Sequence, residues 1–265
     1  MKRKTKSERE KYLFNLKMRS VKVHVIQLAI LIGFFAIWEL LAKTQVIDDF
    51  ITSSPSRIAK MLKELLKSDI FMHIGTTMYE CLIGFAIATI GGSLVAVILW
   101  WSETTRRVLE PYLVILNSLP KIALGPVIII WVGAGAKAII MMTVLICVVV
   151  TIISVLNGFM ECSQSKILLL RSMGASKLQI LIKLILPNSL PNFMSVIKIN
   201  VGLSWVGAIM GEYLVSSAGL GYLIIYGGQV FKLDLVMAST LILCILAALM
   251  YICVAIIEKR LCRFR

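Results

Sequence analysis

Stretches of about twenty apolar residues recur along this chain, separated by clusters of lysine and arginine, and they constrain its fold more than any other feature. A helix rises 1.5 Å per residue, so about twenty residues cover the roughly 30 Å hydrocarbon core of a bilayer. Residues 23–42, 81–101, 110–136, 138–156, 193–211 and 235–257 each meet that length. With 59% hydrophobic residues and a mean hydropathy of +0.91, the 265-residue chain is far more apolar than a soluble domain, in which apolar residues make up about half. The pattern predicts an all-α integral membrane protein with six transmembrane helices.

The positions of the charges set the orientation. The net charge of +14 would suit a nucleic-acid partner, but the basic residues sit at span ends and in the amino-terminal tail, as the positive-inside bias requires, so no nucleic acid is expected. The tail, residues 1–22, carries nine Lys and Arg against Glu8 and Glu10. Six crossings return both termini to one side, and both are basic. Nineteen of the 28 Lys and Arg then fall on the cytoplasmic side, in the tail, after the second span, between the fourth and fifth, and at residues 258–265. The cysteines have no CxxC spacing, and His24 and His73 have no neighbouring ligand types, so neither a disulfide framework nor a metal site is indicated.

Between spans, four stretches carry information. Residues 43–77 leave the core; Ser54-Pro55 gives an N-cap and first-turn proline, and Ile58, Met61, Leu62, Leu65 and Leu66 form an apolar stripe, which predicts an amphipathic helix on the outer surface. Trp38 and Glu39 are expected at the outer interface, the carboxylate reaching headgroups. The third span is broken at Leu119-Pro120-Lys121 and Gly125-Pro126, a break tolerated only against protein or a water-filled cavity. Residues 212–231, rich in glycine, predict an outer re-entrant or interfacial turn. Gly91-Gly92-Ser93 reads as close helix packing.

The fourth stretch, residues 158–190, is basic and only semi-apolar. Within it Gly174 occupies a left-handed cap position, Ser176 and Gln179 make a capping box, and Leu178, Leu181, Leu184 and Ile185 share one face of a second helix that Pro187 should end. This predicts two short helices meeting at a hinge, an angular knob between two spans. A plain interfacial helix anchored by leucine and basic residues has the same pattern.

The spacing of Gly174, Leu184, Leu186 and Pro187 resembles the cytoplasmic loop of ABC importer permeases, the inner-membrane components of binding-protein-dependent transport systems. Where that family has Glu-Ala-Ala, this chain has Leu168, Leu169 and Leu170. Arg171 with Gly174, Ala175 and Ser176 is similar to the nitrate, sulfonate and taurine branch, as are Trp38-Glu39-Leu40-Leu41, Gly84-Phe85-Ala86 and Glu212 before residues 217–223. The resemblance implies a type I importer permease in a bacterial cell membrane, with both termini cytoplasmic. It implies a homodimer, a cytosolic ABC ATPase dimer that uses ATP and Mg²⁺, and an extracytoplasmic solute-binding protein. It also implies that the loop, with Leu168, Leu169, Leu170, Arg171, Ser172, Gly174, Ala175, Ser176, Leu186 and Pro187, couples the ATPase to the spans.

The residues themselves fit a non-catalytic subunit. No GxxxxGK[ST] run cradles a phosphate, and no nucleophile has a convergent base, so no cofactor is expected on this chain. A charge near the bilayer centre costs at least about 2.5 kcal/mol, which singles out Asn117, Pro120, Lys121, Lys198, Asn200 and Glu212 as candidates to line a pathway. For Lys198, pairing with a carboxylate or snorkelling to headgroups is the plainer expectation. The resemblance implies a small, anionic solute, a sulfonate, nitrate or taurine-like compound, with a vitamin or heterocycle precursor as alternative. A self-sufficient secondary transporter or channel is the other reading; it would need broken helices in both halves of a repeat, and only the third span is plainly broken.

Overall fold

A computed structural model describes residues 8–47 and 52–261. All regular elements among the described residues are helical. Two units divide the chain, residues Met1–Lys63 and Glu64–Arg265.

The first unit holds α1 (Glu8–Lys43) and most of α2 (Pro55–Leu65). The cap predicted at Ser54 forms, its Oγ accepting from the Arg57 amide at 3.4 Å. Glu39 has partners within the protein. Its carboxylate accepts from the amide and hydroxyl of Ser56 at 3.0 and 2.7 Å and pairs with Lys43 at 3.1 Å, because the orphan donors at the start of α2 offer it better partners. The stripe behaves as expected over Ile58, Met61, Leu62 and Leu65, while Leu66 lies beyond the helix and is exposed.

The second unit is built on three long helices, α3 (Ile70–Trp101), α6 (Ala136–Met160) and α8 (Lys177–Val215). α6 is the most buried of the candidate spans and packs against both others. Small residues make the approach possible. Gly84, Ala88, Gly92 and Ala96 repeat every fourth residue on α3 and are all buried. A Cβ on Gly84 would lie 2.6 Å from the Thr143 side chain, and one on Gly92 2.7 Å from that of Thr151. A Cβ on Gly207 of α8 would lie equally close to the Thr143 backbone, 2.6 Å. Without a hydrophobic driving force between helices in lipid, this contact and a few polar clips hold the bundle. One clip is Asn200, fully buried, whose Nδ2 donates to Thr89 at 3.1 Å and Thr151 at 2.8 Å, joining all three helices.

Three boundaries differ from the sequence reading. α3 begins at Ile70, not near Cys81. The third span is a pair, α4 (Glu103–Ser118) and α5 (Gly125–Val132), linked through a 3₁₀ turn at Lys121–Leu124 and bent by 86°; Pro111 lies inside α4 without ending it. Pro187 does not end a helix either. A π-helical stretch, Leu181–Ile185, precedes it, and the helix continues through Pro187 and Pro191 to Val215. The wider turn accommodates the missing proline donor. After α7 (Gln164–Ser172) and α8 come the short α9 (Leu220–Gln229) and α10 (Leu233–Leu261). Among the described residues, five helices are long and apolar enough to cross a membrane, up to six if the bent pair is one span.

Candidate functional site

The elbow between α7 and α8 is made by local chemistry. α7 ends in a Schellman motif: the Gly174 amide donates to Arg171 O at 2.9 Å and the Ala175 amide to Leu170 O at 3.0 Å, with Gly174 at φ +81°. One residue later Ser176 opens α8 with both halves of the capping box, its amide donating to Gln179 Oε1 at 2.8 Å and its Oγ accepting from the Gln179 amide at 3.3 Å. Ile167, Leu170, Ala175 and Leu184 pack against a core of Leu99, Phe159, Ile180, Leu181 and Ile185. Leu178, expected on that face, is 53% exposed.

Of the three leucines that replace Glu-Ala-Ala, Leu170 therefore turns inward. Leu168 and Leu169 turn outward at 65% and 61% exposure, beside Met173 at 74%. Arg171 is exposed, and the Ser172 hydroxyl bonds back to Leu168 O at 3.1 Å. Leu186 and Pro187 lie where α8 resumes α-helical geometry after the π stretch. Lys177 pins the elbow to the end of α3: its ammonium donates to Trp101 O and lies 5.8 and 5.4 Å from the Trp100 and Trp101 rings. The paired tryptophans closing α3 were the available signal for that anchor.

A second polar cluster lies where α9 begins. A helix start leaves its first amides without partners, and α9 has only Gly219 as cap, with no side-chain bond of its own. Distant helices supply the acceptors. Gly219 N–H donates to His73 Nδ1 at 3.0 Å, Leu220 N–H to Thr77 Oγ1 at 2.8 Å, and Gly221 N–H to Glu212 Oε2 at 2.5 Å, with the Tyr222 amide also on Glu212. Tyr222 stacks on His73 with centroids 6.1 Å apart. Glycine is required at two of these positions: a Cβ on Gly219, whose φ is +119°, would lie 2.5 Å from the Glu212 carboxylate, and one on Gly221 2.7 Å. Glu80 of α3 completes the cluster within hydrogen-bond reach of Glu212. Glu80 and Thr77 have no sign in the sequence, and neither has the partner of His73, since nothing local links residues 73–80 to residues 212–222.

The residues expected to line a pathway divide into two groups. Asn117, Pro120 and Lys121 come together at the 86° bend, Lys121 Nζ donating to Asn117 O at 3.1 Å. The other three face neighbouring helices. Lys198 of α8 meets both oxygens of Glu258 of α10 at 2.9 Å, Asn200 is the clip among α3, α6 and α8, and Glu212 holds α9. A charge or amide among apolar helices is stable when bonded, which holds for the buried Asn200 and Glu212 and for the half-buried Lys198 alike.

The model of the binding-protein-dependent transport system inner membrane component family matches residues 88–263. A probable ABC transporter permease of Haemophilus influenzae is 30% identical over 87% of this chain and 94% of its own length. The taurine transport system permease of Escherichia coli is 25% identical over 97% and 94%, and a formylaminopyrimidine transport permease of Halalkalibacterium halodurans 31% identical over 70% and 74%. Among solved structures, the MetNI methionine ABC transporter in an inward-facing conformation matches with a TM-score of 0.64 and 21% identity, over 73% of this chain and 99% of that one. A bacterial ABC transporter that imports alginate also reaches 0.64, at 13% identity, over 94% and 99%.

Proposed function

The chain belongs to the family of binding-protein-dependent transport system inner membrane components, and we propose that within it this permease subunit forms the pathway for a small anionic solute of the sulfonate or taurine type. It is an ABC importer permease of the inner membrane. ATP and Mg²⁺ stay on a separate cytosolic ATPase dimer, which grips the α7–α8 elbow, and an extracytoplasmic binding protein delivers the solute. On this reading the basic flanks, residues 1–22 and 258–265, are cytoplasmic, and the permease core expected over residues 78–257 starts instead with α3 at Ile70.

The observation that carries this reading is the elbow itself. A compact helix with a glycine exit, anchored by Lys177 and backed by a packed core, presents Leu168, Leu169 and Met173 outward as an apolar tip with Arg171 beside it. A groove on a partner can seat such a tip and displace it as one body. Its leucines offer shape and apolar area where a glutamate would offer a salt bridge. The positive-inside distribution supports a cytoplasmic elbow.

A pair of chains fits the bent third span. α4 has no buried residue, and Ile130 and Trp131 of α5 are 81% and 74% exposed. A second copy related by a two-fold axis would cover this face and close a pathway along the bend, where Lys121 supplies positive charge for an anion. The 31% identity to a formylaminopyrimidine permease favours a heterocyclic vitamin precursor as second reading of the solute.

Co-purification of the chain with its ATPase tests the coupling role. Replacing Gly174 with valine forces a branched side chain into φ +81° and should abolish solute-stimulated ATP hydrolysis while assembly persists; unchanged stimulation would remove the elbow from the mechanism. Uptake by the purified chain alone under an ion gradient would instead support a secondary transporter.

A further inference from the structure

Glu80 and Glu212 are each 2% exposed, Glu80 Oε2 and Glu212 Oε1 are buried without a partner at hydrogen-bond geometry among the described residues, and the Thr77 hydroxyl stands beside the Glu212 carboxylate. The two carboxyl groups nevertheless stand within hydrogen-bond reach of each other. Two oxygens at that separation attract only if a hydrogen lies between them, and two ionised carboxylates in contact inside a helix bundle would repel with little screening. Neither is in an ion pair with a lysine or arginine among the described residues. Gly219 and Gly221 press against the Glu212 carboxylate so closely that a single added carbon would collide, which leaves no space on that side for a hydrated cation.

We propose that Glu80 and Glu212 form a proton-binding site, one proton shared between the two carboxyl groups, which ties α3 to α8 and to the start of α9. Glu212 Oε2 is already committed to the amides of α9, so the shared proton lets the same side chain hold Glu80. The titratable groups facing the pair are His73 and Cys81 from α3, Tyr213 from α8 and Tyr222 from α9. Two of these are otherwise engaged: His73 Nδ1 accepts from Gly219, and Cys81 Sγ donates to Ser204 at 3.3 Å. The inference does not depend on the solute or on the ATPase.

The test uses the full chain in an ester-free detergent at neutral pH. Infrared spectroscopy should find the carbonyl stretch of a protonated carboxylic acid in the wild type and its loss in both Glu80→Gln and Glu212→Gln. Amide exchange at residues 220–223 provides the second readout. Glu80→Gln keeps a donor toward Glu212 and should leave exchange near the wild-type rate, while Glu80→Ala should speed it roughly tenfold. A wild type without the band, a band that survives both glutamine substitutions, or equal acceleration by Gln and Ala would each overturn the proposal.

Discussion

Two helix starts in this molecule meet the same need in opposite ways. α8 opens with its own Ser176 and Gln179, three residues apart, each satisfying the other's amide. α9 opens with glycine and receives its acceptors from His73, Thr77 and Glu212, the first two more than 140 residues away in sequence. A self-capped start can move as a body, since its bonds travel with it. A start capped from α3 and α8 is welded to both. The comparison sets a start capped by its own residues at the elbow against one capped by other helices at the carboxyl cluster, a division that suits the coupling role proposed above.

The largest effect expected from breaking this contrast is at the weld. Gly219→Val places a branched side chain at φ +119° and against the Glu212 carboxylate, so thermal unfolding in detergent should register a loss of about 3 kcal/mol or more. Asn200→Ala removes the clip among three helices and leaves the Thr89 and Thr151 hydroxyls without that donor; about 2 kcal/mol should be lost in a denaturant titration. At the self-capped start, Ser176→Ala should cost about 1 kcal/mol, confined to α8's first turn and visible as faster amide exchange at residues 177–180 with the unfolding midpoint of the bundle little changed. Leu168→Ala, on an exposed tip, should alter stability by less than about 0.5 kcal/mol yet weaken retention of the ATPase on a column. If Ser176→Ala unfolded the bundle as Gly219→Val does, the two starts would not differ as described.

The same contrast decides what was legible in the sequence. The spans, the amphipathic stripe of α2, the glycine cap and the capping box depend on neighbours within a few residues, and the chain spells them out. The start of α3 is hidden because His73, Thr77 and Glu80 lower the hydropathy of residues 70–80; two of those groups, His73 and Thr77, are ones that hold α9. Pro187 reads as a stop signal, but a π turn upstream carries the helix past it. Glu212 read as the end of a span, yet the amides of α9 let a carboxylate remain inside. Lys198 has no local sign of its partner Glu258, which lies 60 residues on.

The central claim is that the α7–α8 elbow is the grip through which a separate ATPase drives this permease. Single cysteines at Leu168 and Leu169, cross-linked in membranes to the co-expressed ATPase with and without nucleotide, test it most directly. The account predicts efficient cross-links from both positions, with a yield that changes when ATP binds, and none from an equivalent cysteine at Val46 at the other end of the first span. Cross-linking absent at the elbow, or labelling of these cysteines by a reagent confined to the exterior, would contradict it.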